Sequence, residues 1–362
     1  MMGAESSSAI RKLPDQPRVS IIIPTYNRGN SLNRCLESLT KQTYRNFDVV
    51  IVDGGSTDGT SNLVSKYSDK LFIKFILKRA GLVSKMNSGW MAASGDIVIR
   101  TDDDIVASSQ WLLEIVKIFR ISDGIGGVTG PTIIPEDRLE YRDIFAFLRP
   151  SKRKRGILFR LLGKIYVKIF LEGAPNTIGH IFSSGAWAPG SNFPECLTLN
   201  NPINVDTLEA CNMALRRDLV ERVGGFDYAY RSLSEWSEPD ICFRIKKLGY
   251  RLIFNPKAIV HHMVSRGGIF VERTYAYDRM LNFVYFIFRH VRPDSFNKIV
   301  RFSLYLLFLN GYWIYNSMLS GNTDYLTGVT GTITGLVKNL PILINRSQKT
   351  WCNICFSDRY CL

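Results

Sequence analysis

Asp96-Ile97-Val98-Ile99-Arg100, running on into Thr101-Asp102-Asp103-Asp104, is the stretch on which the fold reading turns. A short β-branched run reads as a strand, and this one delivers three adjacent carboxylates at its carboxyl end. Two earlier runs are built alike. Val19-Ser20-Ile21-Ile22-Ile23-Pro24 is compact and stopped by proline, as a buried parallel strand is, and it leads into Thr25-Tyr26-Asn27. Asp48-Val49-Val50-Ile51-Val52-Asp53 opens into Gly54-Gly55-Ser56-Thr57-Asp58-Gly59. Phe72 to Leu77 supplies another strand. Helical segments fall between them: Ser31 to Gln42, with Leu32, Cys35, Leu36 and Leu39 on one face and a serine in the capping position, then Thr60 to Tyr67, Val83 to Ala93 and Trp111 to Phe119. This alternation predicts an α/β fold, a doubly wound and mainly parallel sheet with helices on both faces. Such sheets bind ligands outside the carboxyl ends of their strands, where the polar residues of this chain fall. Neither G-x-G-x-x-G nor G-x-x-x-x-G-K-[ST] follows the first strand, which removes the main support for dinucleotide-binding and P-loop readings.

Composition sets the frame. The chain has 362 residues, 46% hydrophobic and 22% charged, a globular balance rather than a disordered one. Its formal net charge of +14 suggests an anionic partner: nucleic acid, acidic lipid or a phosphorylated substrate. The seven cysteines lack the spacing of a disulfide framework, and Cys35, Cys211 and Cys242 read as reduced, buried thiols. Cys352 and Cys355 form a C-x-x-C without enough further ligands for zinc. Residues 1–17 read as a disordered lead-in with no apolar signal segment.

Two later segments point to a membrane. Ile157 to Leu171 (ILFRLLGKIYVKIFL) carries Arg160, Lys164 and Lys168 as one basic stripe among apolar residues, downstream of Arg149 and Lys152 to Arg155. That is the profile of an interfacial helix; the other reading is a surface helix with buried apolar faces. Phe302 to Leu319 is nearly all apolar, though Asn310, Gly311 and Asn316 interrupt it, and Tyr325 to Ile344 is weaker. Basic residues before Phe302 would place that end in the cytoplasm. The expected organisation is a catalytic domain over 18–270, an insertion at 130–202 bearing the basic helix, and an apolar helical region over 271–362. The expected location is the cytoplasmic face of a membrane, peripheral or with one or two C-terminal spans.

Three groups carry chemistry. Asp53 can accept the ring N–H of a base, or cap the turn that follows it. Tyr26 is placed to stack on a base. Asp102, Asp103 and Asp104 repel one another and want a cation, and hard oxygen donors suit Mg²⁺ or Mn²⁺. Glu238 and Asp240 lie at a helix start in Ser237-Glu238-Pro239-Asp240, as capping residues or as a base that takes a proton from an attacking hydroxyl.

Together the pieces resemble an inverting family 2 glycosyltransferase with the GT-A fold. The resemblance rests on VSIIIPTYNR (19–28), VDGGSTDG (52–59), Asn87-Ser88-Gly89 with 93–104, CNMALRRDLVERVGGFD (211–227) and EPDICFRIKKLGYRLIFNPKAIVHH (238–262). It implies that Pro24, Thr25, Tyr26, Asp53, Lys85, Asp102 and Asp103 hold the nucleotide. It also implies that Asp104, with Asp102 and His262, holds a divalent metal, and that Glu238, with Asp240 nearby, is the base. Lys85-Met86-Asn87 stands where the family often has Ala-Arg-Asn, and Glu238 where it usually has aspartate. The implied reaction moves a sugar from a nucleoside diphosphate, UDP above all, to a hydroxyl on a lipid-linked saccharide or other glycan precursor. The implied partners are the donor, that acceptor and a membrane surface, not nucleic acid. The alternatives are a sugar nucleotidyltransferase, which would want more cations after the first strand, and a non-catalytic basic membrane-binding protein.

Overall fold

The computed structural model describes residues 12–135, 137–138, 157–265, 267 and 275–344. Its strands are β1 (Val19–Thr25), β2 (Phe47–Asp53), β3 (Ile73–Leu77), β4 (Ile97–Arg100), β5 (Ile105–Ala107), β6 (Ile125–Thr129), β7 (Thr132–Ile133), β8 (Ile178–Ile181), β9 (Trp187–Pro189), β10 (Ile203–Val205), β11 (Met213–Arg216), β12 (Arg251–Phe254) and β13 (Val260–His262). The helices are α1 (Gly29–Thr40), α2 (Thr60–Ser65), α3 (Leu82–Ala92), α4 (Trp111–Phe119), α5 (Ile157–Ile165), α6 (Arg217–Arg222), α7 (Ser237–Lys247), α8 (Ala276–Phe286), α9 (Phe296–Ser320) and α10 (Thr327–Ile344). Both α5 and α8 run on as π-helical turns, Tyr166–Phe170 and Ile287–Val291.

The main sheet has the order β10-β12-β6-β11-β4-β1-β2-β3. Pairings β1–β2, β1–β4, β2–β3 and β6–β12 are parallel, while β11 enters antiparallel between β4 and β6. This is the mainly parallel α/β sheet that the strand runs predict. Their unbroken apolar character has a direct cause. Ile21, Ile23, Val49, Ile51, Ile97 and Ile99 pack into one core with α1 and α4. Their neighbours Ile22, Val50, Val52 and Val98 pack into a second core on the other face. A strand buried on both sides has no polar face to show.

Glycine sets one close approach. A Cβ on Gly89 would lie 2.3 Å from Ile22 Cγ2, so α3 rests on β1 at a distance only glycine permits. Asn87, two residues before it, pins the same helix to a turn far along the chain. Its side chain donates to Phe226 O at 2.9 Å and accepts from Phe226 N at 2.9 Å.

Ser31 is not the cap of α1. The helix starts two residues earlier, Ser31 is buried within it, and Gly29 N donates instead to Asp58 Oδ2 at 2.8 Å.

The C-terminal helices share the second apolar core with the sheet: Phe283, Phe286, Phe302 and Trp313 belong to the same cluster as Ile22 and Val98. Tyr166 and Phe170 pack against Tyr305 and Phe308 of α9, so the basic segment has one buried face. Its exposed side carries Lys164 and Lys168 with Leu161 (52% exposed), Ile165 (37%) and Ile169 (38%). Among the described residues no helix is long and apolar enough to cross a membrane. The stretch around Arg149 to Arg155 and the C-x-x-C at Cys352 and Cys355 lie outside the described residues.

Candidate active site

The site lies at the carboxyl ends of β1, β2 and β4. Parallel register sets Thr25 beside Asp53 and Pro24 beside Val52. Thr25 Oγ1 then donates to Asp103 Oδ2 at 2.7 Å, joining the first strand end to the acidic run. Asp53 closes its own turn: its carboxylate accepts from Gly55 N (3.2 Å), Ser56 N (2.9 Å) and Ser56 Oγ (2.5 Å). Tyr26 and the Lys85 ammonium pack over Gly54, where a Cβ would meet them at 3.1–3.2 Å. Lys85 is 2% exposed. Burial holds its pKa below the usual lysine value, against the pull of Asp103 and Asp53.

Two arginines organise the acidic run, and neither stood out as a site residue in the sequence. Arg28 pairs with Asp103 Oδ1 at 3.1 Å and Asp104 Oδ2 at 2.5 Å. Arg100 pairs with Asp102 Oδ1 at 2.9 Å and reaches Glu238 Oε1 at 3.6 Å. Each of Asp102 and Asp104 thus gives one oxygen to an arginine. The other oxygen turns toward His262: Asp104 Oδ1 lies 3.3 Å and Asp102 Oδ2 3.9 Å from its Nε2. Strand pairing explains the meeting. β13 runs antiparallel to β5 with His262 opposite Ile105, the residue after Asp104. Ser265 N then donates to Asp104 Oδ2 at 2.7 Å.

Cys211 completes this corner. It sits in the short turn before β11, its carbonyl accepts from Thr101 Oγ1 at 2.7 Å, and Asn212 fastens the turn to Ala258 O at 2.9 Å. Ligand atoms of Asp102, Cys211 and His262 all lie within 4.8 Å of one another. Burial pushes the His262 pKa down, but Cys211 and Asp104 outweigh it and lift it to about 10. Burial likewise pushes Asp103 up to about 7 against Arg28. Arg28 and Arg100 leave the acids partly neutralised, so the corner attracts a bare cation weakly and a cation carrying anionic ligands more strongly. The residues fit a divalent ion: carboxylate oxygens of Asp102 and Asp104 face an imidazole, with a thiol beside them. That donor set is softer than the all-oxygen one the acidic run alone implied.

The two acids at the start of α7 part company. Glu238 is 6% exposed and faces Arg100, and burial raises its pKa above the usual carboxylate value against the pull of Arg100. Its helix follows an unusual approach, with Ser232, Ser234 and Trp236 all in the left-handed region. Non-glycine residues there store about 1–3 kcal/mol each, and such strain clusters at functional sites. Asp240 is fully buried. Its oxygens meet Arg244 Nε at 2.7 Å, His290 Nε2 at 2.7 Å and Arg289 Nη1 at 3.2 Å. With no oxygen left for an acceptor, Asp240 acts as an anchor of α7 and not as a second proton acceptor. Arg244 also donates to Val223 O and Gly225 O at 2.5 and 2.8 Å, and Arg289 pairs with Asp227.

Comparison with known proteins bears on the fold. Residues 20–174 match the family model for glycosyl transferase family 2. Glycosyltransferase AglE of Haloferax volcanii is 37% identical over 101 residues, covering 26% of this chain and 33% of AglE. The chain spans about a third or less of the length of the curated relatives it matches first. Among solved structures, a mannosyltransferase from Pyrobaculum calidifontis in complex with GDP-Man and Mn²⁺ superposes with a TM-score of 0.51 at 19% identity, covering 90% of this chain and 87% of that one. TarS 1-349 of S. aureus in complex with UDP-GlcNAc gives 0.54 at 16% identity, covering 90% and 81%. These likenesses establish the fold.

Proposed function

We propose, from the match of residues 20–174 to the model for glycosyl transferase family 2, that the chain moves a sugar from a nucleoside-diphosphate donor, of UDP type, to a hydroxyl of a lipid-linked saccharide or other glycan precursor, with inversion. The observation that carries this reading is the bridge Asp102–Arg100–Glu238, which sets a buried acid of raised pKa beside the acidic rim of the sheet. Tyr26, Pro24, Thr25 and Asp53 flank the nucleoside, with Asp53 exchanging its turn contacts for the base. Lys85 meets the diphosphate between Asp53 and Asp103. When bound, a divalent ion, Mg²⁺ or Mn²⁺, held by Asp102, Asp104 and His262 supplies Lewis-acid stabilisation of the departing diphosphate. Glu238 Oε1 takes the proton of the attacking hydroxyl, and the raised pKa brings it closer to the working pH of a general base. Arg100 keeps that carboxylate ionised and fixes it relative to Asp102.

The acceptor reading is supported by the exposed apolar residues Leu161, Ile165 and Ile169 beside Lys164 and Lys168, and by Leu307 (70% exposed) and Met318 (81%) on α9. Basic and apolar residues interleaved on the exposed side of the 161–169 segment suit an anionic bilayer, so we place the reaction at the cytoplasmic face of a membrane. Mass spectrometry of products from UDP- and GDP-sugars, with a lipid extract as acceptor source, tests the reaction. The expected product is a glycosylated lipid with release of the nucleoside diphosphate. Release of pyrophosphate from a sugar phosphate and a nucleoside triphosphate would overturn the reading.

A further inference from the structure

Cys211 has no part in the proposed reaction, and the sequence presents it as an ordinary core thiol. The fold puts it elsewhere. It is buried at 2% exposure, in the turn that leads into β11, the strand inserted beside β4. Its sulfur, an Asp102 oxygen and a His262 nitrogen form a group whose members all lie within 4.8 Å of one another. Ligands of one small cation span such distances: metal–sulfur and metal–nitrogen bonds are about 2.3 and 2.1 Å for zinc. Asp104 belongs to the same corner: it is 4% exposed, and its Oδ1 faces His262 Nε2 at 3.3 Å, so a cation there would meet a fourth donor.

We propose that Cys211 is a thiolate ligand of the divalent-cation site, joining Asp102, His262 and Asp104 and shifting the site's preference from Mg²⁺ toward borderline ions such as Mn²⁺, Co²⁺ and Zn²⁺. The inference rests on reading this cleft as the donor's metal site. On binding, the thiol proton and any proton on His262 leave to solvent, and the sulfur and nitrogen lone pairs form the two new metal bonds. No oxidation state changes. Thiolate and imidazole favour Co²⁺ and Zn²⁺ over Mg²⁺, whereas carboxylates and water suit Mg²⁺. The ligand set thus spans both tastes: two carboxylates shared with arginines, one nitrogen and one sulfur.

The test is a Co²⁺ titration of the full chain under reducing, anaerobic conditions, in a background with Cys352, Cys355 and Cys361 replaced by Ser. This background leaves the other buried thiols, Cys35, Cys196 and Cys242, unchanged. The expected result is a thiolate-to-cobalt charge-transfer absorption that saturates at one ion per chain. Cys211→Ser abolishes that band and weakens Co²⁺ affinity by at least the roughly 10- to 100-fold that loss of an outer-shell partner costs, while Mg²⁺ affinity changes little. A background protein that binds Co²⁺ without the charge-transfer band overturns the proposal, and so does a band that survives Cys211→Ser. A background protein that binds no Co²⁺ overturns it as well. Since the wild-type thiol is read directly, a poorly folded variant does not rescue it. Sugar transfer is scored in a separate assay, so a cobalt–thiolate signal in a chain inert toward every nucleotide sugar sinks the donor-site reading and leaves the ligand standing.

Discussion

Replacing Asp240 by Asn separates anchoring from chemistry. The side chain keeps its shape, but the charge facing Arg244, Arg289 and His290 disappears at a site with no solvent. Two charges about 4 Å apart interact by about 4 kcal/mol at an effective dielectric of 20. Sparing one carboxylate its desolvation returns part of that, and breaking one side of a buried pair typically costs about 3–5 kcal/mol net. For domains somewhat smaller than this chain each kcal/mol moves Tm by about 2–4 °C, so the lower slope applies and Tm should fall by about 6–10 °C. Differential scanning calorimetry reads it. Glu238→Gln in parallel should leave Tm close to wild type, because it removes a buried charge held only at 3.6 Å. Its turnover should fall by about 10²–10⁴-fold, the usual contribution of a positioned base. An Asp240→Asn protein with wild-type Tm and abolished turnover would refute the division of labour argued for these two acids.

Acid should weaken the same network through His290. Burial, aided by Lys247 and Arg289, depresses its pKa to about 4 from 6.5, against the pull of Asp240. The neutral ring fits the contacts, with Lys247 Nζ donating to Nδ1 at 3.1 Å and Nε2–H donating to Asp240. A base with a depressed folded pKa favours folding above 6.5 and loses that contribution as pH falls toward 4, about 3 kcal/mol at most; wild-type Tm should drop across this window and His290→Gln should flatten the slope. Arg100→Gln removes the cation that holds Glu238 ionised, so the acid limb of kcat/KM against pH should move to higher pH; a limb that stays in place would separate Arg100 from Glu238. Gly89→Ala drives a methyl to 2.3 Å from Ile22 Cγ2 and should cost about 1–3 kcal/mol in urea unfolding, partly recovered by adding Ile22→Ala. Lys164 and Lys168 to Glu together should abolish flotation with anionic vesicles while leaving transfer to a soluble acceptor unchanged.

Much of the sheet was legible because β1, β2 and β4 are buried on both faces and lead into polar residues. Trp111 to Phe119 forms the expected helix to the residue, and the strand ends carry Asp53 and the acidic run as expected. What stayed hidden depends on pairing across long sequence separations. Nothing near Asp104 announces His262, because their meeting needs β13 to lie against β5. Cys211 reads as a core thiol until β11 inserts beside β4. Arg28 looks like an ordinary residue at a helix entry and Arg100 like an ordinary strand-end cation, though an arginine directly before Thr-Asp-Asp-Asp is a signal that a partner was waiting. Asp53 shows the limit of local reading in the other direction: both of its readings, base acceptor and turn cap, were open, and its contacts are those of the turn.

The insertion of β11 between β4 and β6 also sets a timetable for the newborn chain. As the polypeptide leaves the ribosome, β1 to β4 can pair among themselves, but β6 has no neighbour to join them until residues 213–216 emerge. The imidazole of His262 arrives later still. Contacts between distant segments are slow to form, so a half-synthesised molecule presents three carboxylates with no strand to bring in their imidazole. The acidic rim therefore stays without that ring until residues 260–262 have been made.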